Sequence, residues 1–197
     1  MTFSQAMEQR RSQYAIGADL PISKEKVEQI VAHAIKHVPS SFNAQSARVA
    51  LLFGESHQRL WTITKESLRA IVPQEQFSAT EQKIDGFAAG AGTILFFEDQ
   101  EVIQSLVNKF ELYAKNFPTW SEQSSGMLQY AVWTHLAEQH VGATLQHYNE
   151  LIADEVKKTF SIPSNWKLIA QLPFGNITAP PKEKTFSPME QRFIVFH

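Results

Sequence analysis

The chain of 197 residues contains no cysteine. That absence excludes disulfide staples, thiolate metal sites and a cysteine nucleophile, and it fits a reducing compartment. No stretch approaches the roughly 18 consecutive apolar residues of a membrane span. The start, MTFSQAMEQRRSQYA, carries charge where a signal peptide would be apolar. The expectation is a soluble, cytoplasmic protein. An excess of either charge sign is also missing: 18 Lys+Arg stand against 20 Asp+Glu, a net charge of -2. Nothing drives the whole molecule toward nucleic acid or an anionic membrane, so any anion site must be local. There is no G-x-G-x-x-G, P-loop, G-x-S-x-G elbow or H-E-x-x-H. The seven histidines are scattered. His33 and His37 share a helix face at i, i+4, but Ala34, Ile35 and Val38 around them read as a half-buried face rather than a metal site.

What is present is globular: 43% hydrophobic and 19% charged residues, with no repeat, low-complexity tract or dividing linker. One domain spanning residues 1–197 is expected. Phe3, Ala6, Met7 and Arg10 lie at helical spacing in a segment ending near Tyr14, before Gly17 and Pro21. Ser23 caps a second helix with an apolar stripe, Val27, Ile30, Val31, Ala34, Ile35 and Val38, closed by Pro39. ARVALLFG (47–54) reads as a strand and 56–72 as a helix closed by Pro73. AAGAGTILFFED (88–99) contains an unbroken apolar run, the mark of a buried central strand. A helix follows from Val102 to Tyr113, and after NFPTW a long one passes through Met127, Leu128, Val132 and Leu136. Another starts with Asn149 as N-cap and Glu150 in its first turn. WKLIAQLPFG is a strand. From about residue 175 the chain reads as an extended arm, rich in proline, ending in a β-prone run, Phe193 to Phe196, suited to pairing with a sheet.

Several residues could converge on an anion. Arg10 and Arg11 offer planar, permanently charged forks, Ser12, Ser40 and Ser41 offer hydroxyls, and Lys182 and Lys184 add point charges. Taken singly, the two arginines equally describe a solvated helix end, and the serines a turn. Gln146, His147 and Tyr148 precede a helix whose first amides lack helical partners and so can face a carbonyl or an anion. They also read as loop residues with Asn149 capping.

In order, RRSQY, PSSFNAQSARV, GATLQHYN and LPFGNITAPPKEKTF together resemble the FMN-dependent nitroreductase family. More narrowly they resemble its small branch typified by the yeast fatty acid repression mutant proteins and their bacterial relatives. The resemblance spans the whole chain. It implies an α+β fold, a central and mostly antiparallel sheet surrounded by helices, in an interlocked homodimer. Each FMN would lie between subunits, with RRSQY from one chain and PSSFN from the other. Carried over by position, Arg10 and Ser12 would hold the phosphate and ribityl end, with Arg11 and Tyr14 beside them and Lys184 completing the phosphate pocket. Ser40, Ser41 and Asn43 would approach the flavin from the partner, and His147 and Tyr148 would place backbone amides near the flavin N5 and O4. Most of the family has an acidic residue and a glycine at those last two positions, so His147 and Tyr148 bear on substrate range. The activity implied is hydride transfer from NAD(P)H through the flavin to a nitroaromatic or quinone-like acceptor, with no protein acid, base or nucleophile. The alternatives are an FMN-binding sensor with little turnover and a flavin-free helical interaction protein.

Overall fold

The computed structural model describes residues 1–196. Its strands in chain order are β1 (Ile16–Gly17), β2 (Ala47–Phe53), β3 (Gly92–Asp99), β4 (Gly142–Ala143) and β5 (Trp166–Ile177). They form one antiparallel sheet in the order β1-β5-β3-β2, with β4 also paired to β5. The α-helices are α1 (Phe3–Gln9), α2 (Lys24–His37), α3 (Gly54–Arg69), α4 (Phe77–Ala88), α5 (Gln100–Lys109), α6 (Phe117–Glu138) and α7 (Asn149–Phe160). No helix among the described residues is long and apolar enough to cross a membrane.

An antiparallel sheet commonly leaves one face to water, which would break a strand into alternating apolar and polar residues. β3 does not alternate because helices cover both faces, and all of its residues are buried. Ile94 and Phe96 pack with Val27, Ile30, Val132 and Leu136 from α2 and α6. Leu95 and Phe97 point the other way, to Leu60, Trp61, Phe87 and Val156 from α3, α4 and α7. This is the α+β sandwich expected from the sequence. Ser23 does cap α2, accepting from the Lys26 amide at 3.2 Å.

The elements depart from expectation at several ends. α1 stops at Gln9, not near Tyr14, because the next residues take partners elsewhere: the Gln13 amide donates to the Ala143 carbonyl at 2.9 Å, and Ile16 pairs with Ile177. Gly175 makes that pairing possible, since a Cβ there would strike the Gly17 carbonyl oxygen. Residues 88–91 finish α4 instead of starting β3, and α4 itself was not anticipated. α5 ends at Lys109, followed by a 3-10 turn at Glu111–Tyr113. Asn149 is the first residue of α7, not its cap. Its Nδ2 donates to the Ile169 carbonyl at 2.6 Å and its Oδ1 accepts from Gln171 Nε2 at 2.6 Å, so the side chain ties the helix to β5. His33 and His37 are exposed rather than half-buried, with ring centres 4.5 Å apart. Beyond β5 the arm forms no strand among the described residues, and Phe193 to Phe196 are exposed.

Candidate functional site

The end of α1 and the arm enclose a cleft of about 780 Å³, with residues 10–15 as one wall and residues 180–184 as the other. The first wall is extended because Ser12 bridges Ala143 and the Gln13 amide bonds to the same strand. The Arg10 guanidinium lies 4.3 Å from the centre of the Trp133 ring, which fixes its plane. Its Nε is buried and has no hydrogen-bond partner among the described residues, and neither has the buried Gln13 Oε1. Arg11 Nη2 donates to the Lys182 carbonyl at 2.5 Å, joining the two walls. Four cations, Arg10, Arg11, Lys182 and Lys184, therefore surround the cleft against one carboxylate, Glu183. A buried donor left unsatisfied is unfavourable by about 1–3 kcal/mol, so a ligand acceptor beside Arg10 is favoured.

The rim continues to α7. The Tyr14 ring lies 6.2 Å from that of Phe87, and Lys83 Nζ sits 5.9 Å from the Phe87 ring centre and 6.0 Å from that of Tyr148. Before α7, Gln146 pairs with Gln171 through both backbone groups, at 2.7 and 2.9 Å, and turns its side-chain amide inward to Thr144. The Tyr148 amide is taken by Gln171 Oε1 at 2.8 Å. The His147 amide makes no hydrogen bond among the described residues and stands with the open first amides of α7. A carbonyl or anion there would meet the positive end of the helix dipole.

The remaining expected site residues form a separate loop. Ser40 Oγ accepts from the Gln45 amide at 3.0 Å, which closes residues 40–45 into a compact turn. Three of its non-glycine residues lie in the left-handed region: Phe42 at φ 55°, Asn43 at 52° and Gln45 at 50°. Aromatic contacts offset that strain. Phe42 packs on Phe110, Phe117 and Trp120, with ring centres 4.9, 5.3 and 6.1 Å away. Trp120 and Trp133 stand 13 positions apart on α6. At 1.5 Å per residue the loop against Trp120 and Arg10 against Trp133 are separated by roughly 20 Å along that helix. One protomer thus brings Arg10, Arg11, Ser12, Tyr14 and Lys184 to one cleft and rim, with His147 and Tyr148 further along, but keeps Ser40, Ser41 and Asn43 apart from it.

A sequence profile described as the nitroreductase family matches residues 7–176. The chain belongs to the nitroreductase family. It is 33% identical over 187 residues to the HBN1 protein of Saccharomyces cerevisiae, covering 94% of this chain and 93% of that one. To the nitroreductase FRM2 of the same yeast it is 30% identical over 183 residues, covering 92% and 91%. These are relatives of the yeast branch that the motifs resemble. Among solved structures it is similar to nitroreductase CinD from Lactococcus lactis in complex with 4-nitrophenol, at 46% identity, a TM-score of 0.91 and full coverage of both chains. The sandwich of helices around an antiparallel sheet is accordingly the nitroreductase fold.

Three groups near the nitroreductase site escaped the sequence reading. Lys83 lies on the unanticipated α4. Gln171, fully buried, is the anchor of the Tyr148 amide; a lone polar residue inside LIAQLPF was the available signal. Glu98, 1% exposed beneath the 40–46 loop, was hidden in the acidic end of FFED.

Proposed function

We propose that the chain is an FMN-dependent oxidoreductase that uses NAD(P)H to reduce nitroaromatic or quinone-like acceptors and works as a homodimer. The observation that carries the reading is the cationic cleft with a buried, unpartnered Arg10 Nε held on Trp133. That donor set suits a phosphate monoester, because arginine forks match phosphate oxygens and the surplus of cations balances a dianion. Arg10, Arg11 and Lys184 would hold the phosphate, with Lys182 beside them. Ser12 and Tyr14 would line the chain leading from it. The free His147 amide and the first turn of α7 would face the polar edge of the ring system, where their positive ends stabilise negative charge. The chemistry supplied by bound FMN would be acceptance of a hydride from NAD(P)H and delivery of the electron pair to the acceptor.

A second copy of the chain is part of the same reading. Ser40, Ser41 and Asn43 stand too far along α6 to reach the cleft of their own protomer, and a partner would supply them. The arm supports this. Phe186, Phe193, Ile194, Val195 and Phe196 are between 54 and 91% exposed, a concentration of apolar surface that needs a cover. The 4-nitrophenol complex of CinD supports a nitroaromatic as acceptor. The test is gel filtration after FMN addition, followed by NADH and NADPH oxidation with 4-nitrophenol. Flavin absorbance co-eluting with a dimer and acceptor-dependent oxidation are expected. A colourless protein that cannot be reconstituted would overturn the cofactor assignment.

A further inference from the structure

The loop of residues 40–46 stands on a buried ionic network with one member out of balance. Ser46 Oγ donates to Glu98 Oε2 at 2.6 Å, a contact closed off from solvent. The other carboxyl oxygen, Oε1, is buried and has no hydrogen-bond partner among the described residues. Neighbouring groups hold the same loop but spend their charge on one another. Arg48 Nη1 donates to the Gln45 carbonyl at 2.8 Å while its Nη2 pairs with Asp99 at 2.9 Å. Asp99 also accepts from Asn165 Nδ2 and from the Glu101 amide, at 2.8 and 3.1 Å. The charged groups facing Glu98 are therefore Arg48 on β2, Asp99 next to it on β3, Lys167 opposite on β5 and Glu122 on α6. Arg48 is committed to Asp99, and Lys167 pairs with Glu122 at 3.0 Å. No cation is left to Glu98. The cavity between the loop and α6 is only about 10 Å³, at the lower limit for a single water.

We propose that Glu98 is a positioning residue: as a neutral carboxylic acid bonded to Ser46 it locks the strained 40–46 loop in the shape that presents Ser40, Ser41 and Asn43 to flavin. This rests on the cofactor reading above for its consequence, though not for the lock itself. A neutral acid offers a proton as well as acceptors and needs no counter-ion, whereas a carboxylate with a bare oxygen in a dry site must be hydrated or move. Burial, the largest influence, lifts the Glu98 carboxyl to about 7, while the Ser46 hydroxyl and Arg48 pull the other way. Ionisation falls in the neutral range, and the loop bears the consequence because Ser46 is its last residue and the Asp99 amide donates to the Ser46 carbonyl at 2.9 Å.

The experiment compares the full chain with Glu98→Gln, Glu98→Ala and Ser46→Ala between pH 6 and 8.5. Hydrogen exchange of the 43–46 amides, corrected for the intrinsic rate, is read without flavin, and FMN affinity is read by fluorescence titration. In the wild type, loop protection and FMN affinity should both fall about tenfold across that range. Glu98→Gln, neutral at every pH, should change less than about twofold, while Ser46→Ala should be weakened already at pH 6. A Glu98→Gln profile that follows the wild type in both readouts overturns the proposal even if Glu98→Ala fails to fold. Loop protection that tracks Glu98 ionisation in a protein that never binds FMN would keep the lock and sink the cofactor reading instead.

Discussion

Around Arg10 the structure leaves cations facing a cleft of about 780 Å³, whereas around Ser46 it packs an ionic network against a cavity of about 10 Å³. Arg10 Nε is a buried donor waiting for an acceptor. The 40–46 loop spends nearly all of its polar groups internally, on Ser40 to Gln45, Arg48 to Gln45 and Ser46 to Glu98. The first region is built to receive a ligand. The second is built to hold a shape that the chain does not adopt cheaply, with three left-handed residues in four positions, and then to present it. A site shared between copies needs both kinds: a charged pocket that adapts to its ligand and a rigid wedge that keeps its form before the partner arrives.

The largest expected break in this contrast is on the receiving side. Gly175→Ala should push β5 from β1 and free residues 10–17, destabilising the fold by about 4 kcal/mol, because the clash is with backbone and no side chain can yield. Denaturant unfolding measures it. A loss below about 1 kcal/mol would mean that the 10–17 segment is not held by this pairing.

The next effect belongs to the wedge and is one of pH. Glu98 has a folded-state value of about 7 against 4.5 for an ordinary glutamate. The folded state prefers the proton, so the stabilisation is complete below pH 4.5 and disappears as pH rises through 7. The difference corresponds to roughly 3 kcal/mol. Wild type and Glu98→Gln should therefore diverge in melting temperature toward alkaline pH, with the variant flatter. Parallel curves would remove Glu98 as a titrating element of the fold.

Arg10→Ala comes third and touches the ligand more than the fold. FMN retention should weaken by about 1.5 to 3 kcal/mol, the scale of a lost charge-assisted bond. Melting of the flavin-free protein should barely move, because no hydrogen bond to Arg10 Nε is lost. Unchanged flavin affinity would take Arg10 out of the site.

Most of the layers were legible because helix faces and buried strands write their burial locally. The stripe Val27, Ile30, Val31, Ala34 is buried in α2, and TILFF lies in the central strand. α4 was legible too, with Phe77, Ile84 and Phe87 at helical spacing, but polar residues and Gly86 dilute its pattern. The misjudged ends share a non-local cause. α1 stops where Gln13 finds Ala143, and Asn149 gives up capping for Ile169 and Gln171, partners that no local window contains. The same limit applies to the site. Residues 10–14 and 182–184 are identifiable as cationic, but their meeting depends on β5 turning back beside β1. Glu98 gave no signal at all, because an acidic residue at the end of a strand is ordinarily a solvated one.

The smallest expected effect concerns the scaffold behind the rim. His57 is buried between the Thr93 hydroxyl, 2.8 Å from Nδ1, and the Ala88 carbonyl, 3.1 Å from Nε2. A carbonyl only accepts, so Nε2 carries the proton and Nδ1 accepts from Thr93, whose oxygen accepts in turn from Trp61 Nε1 at 3.0 Å. The Trp61 ring stands edge-on to Tyr148, 6.2 Å away, so this chain of bonds supports the rim of the cleft from beneath. Burial holds the His57 imidazole below its ordinary value of 6.5. The unfolded chain then takes up the proton first, and stability present above pH 6.5 is lost as pH falls below it. His57→Gln keeps a donor and an acceptor without a titrating group. Its melting temperature should decline less than that of the wild type between pH 7 and 5, and so separate an acid-sensitive scaffold under α7 from the alkali-sensitive wedge on Glu98.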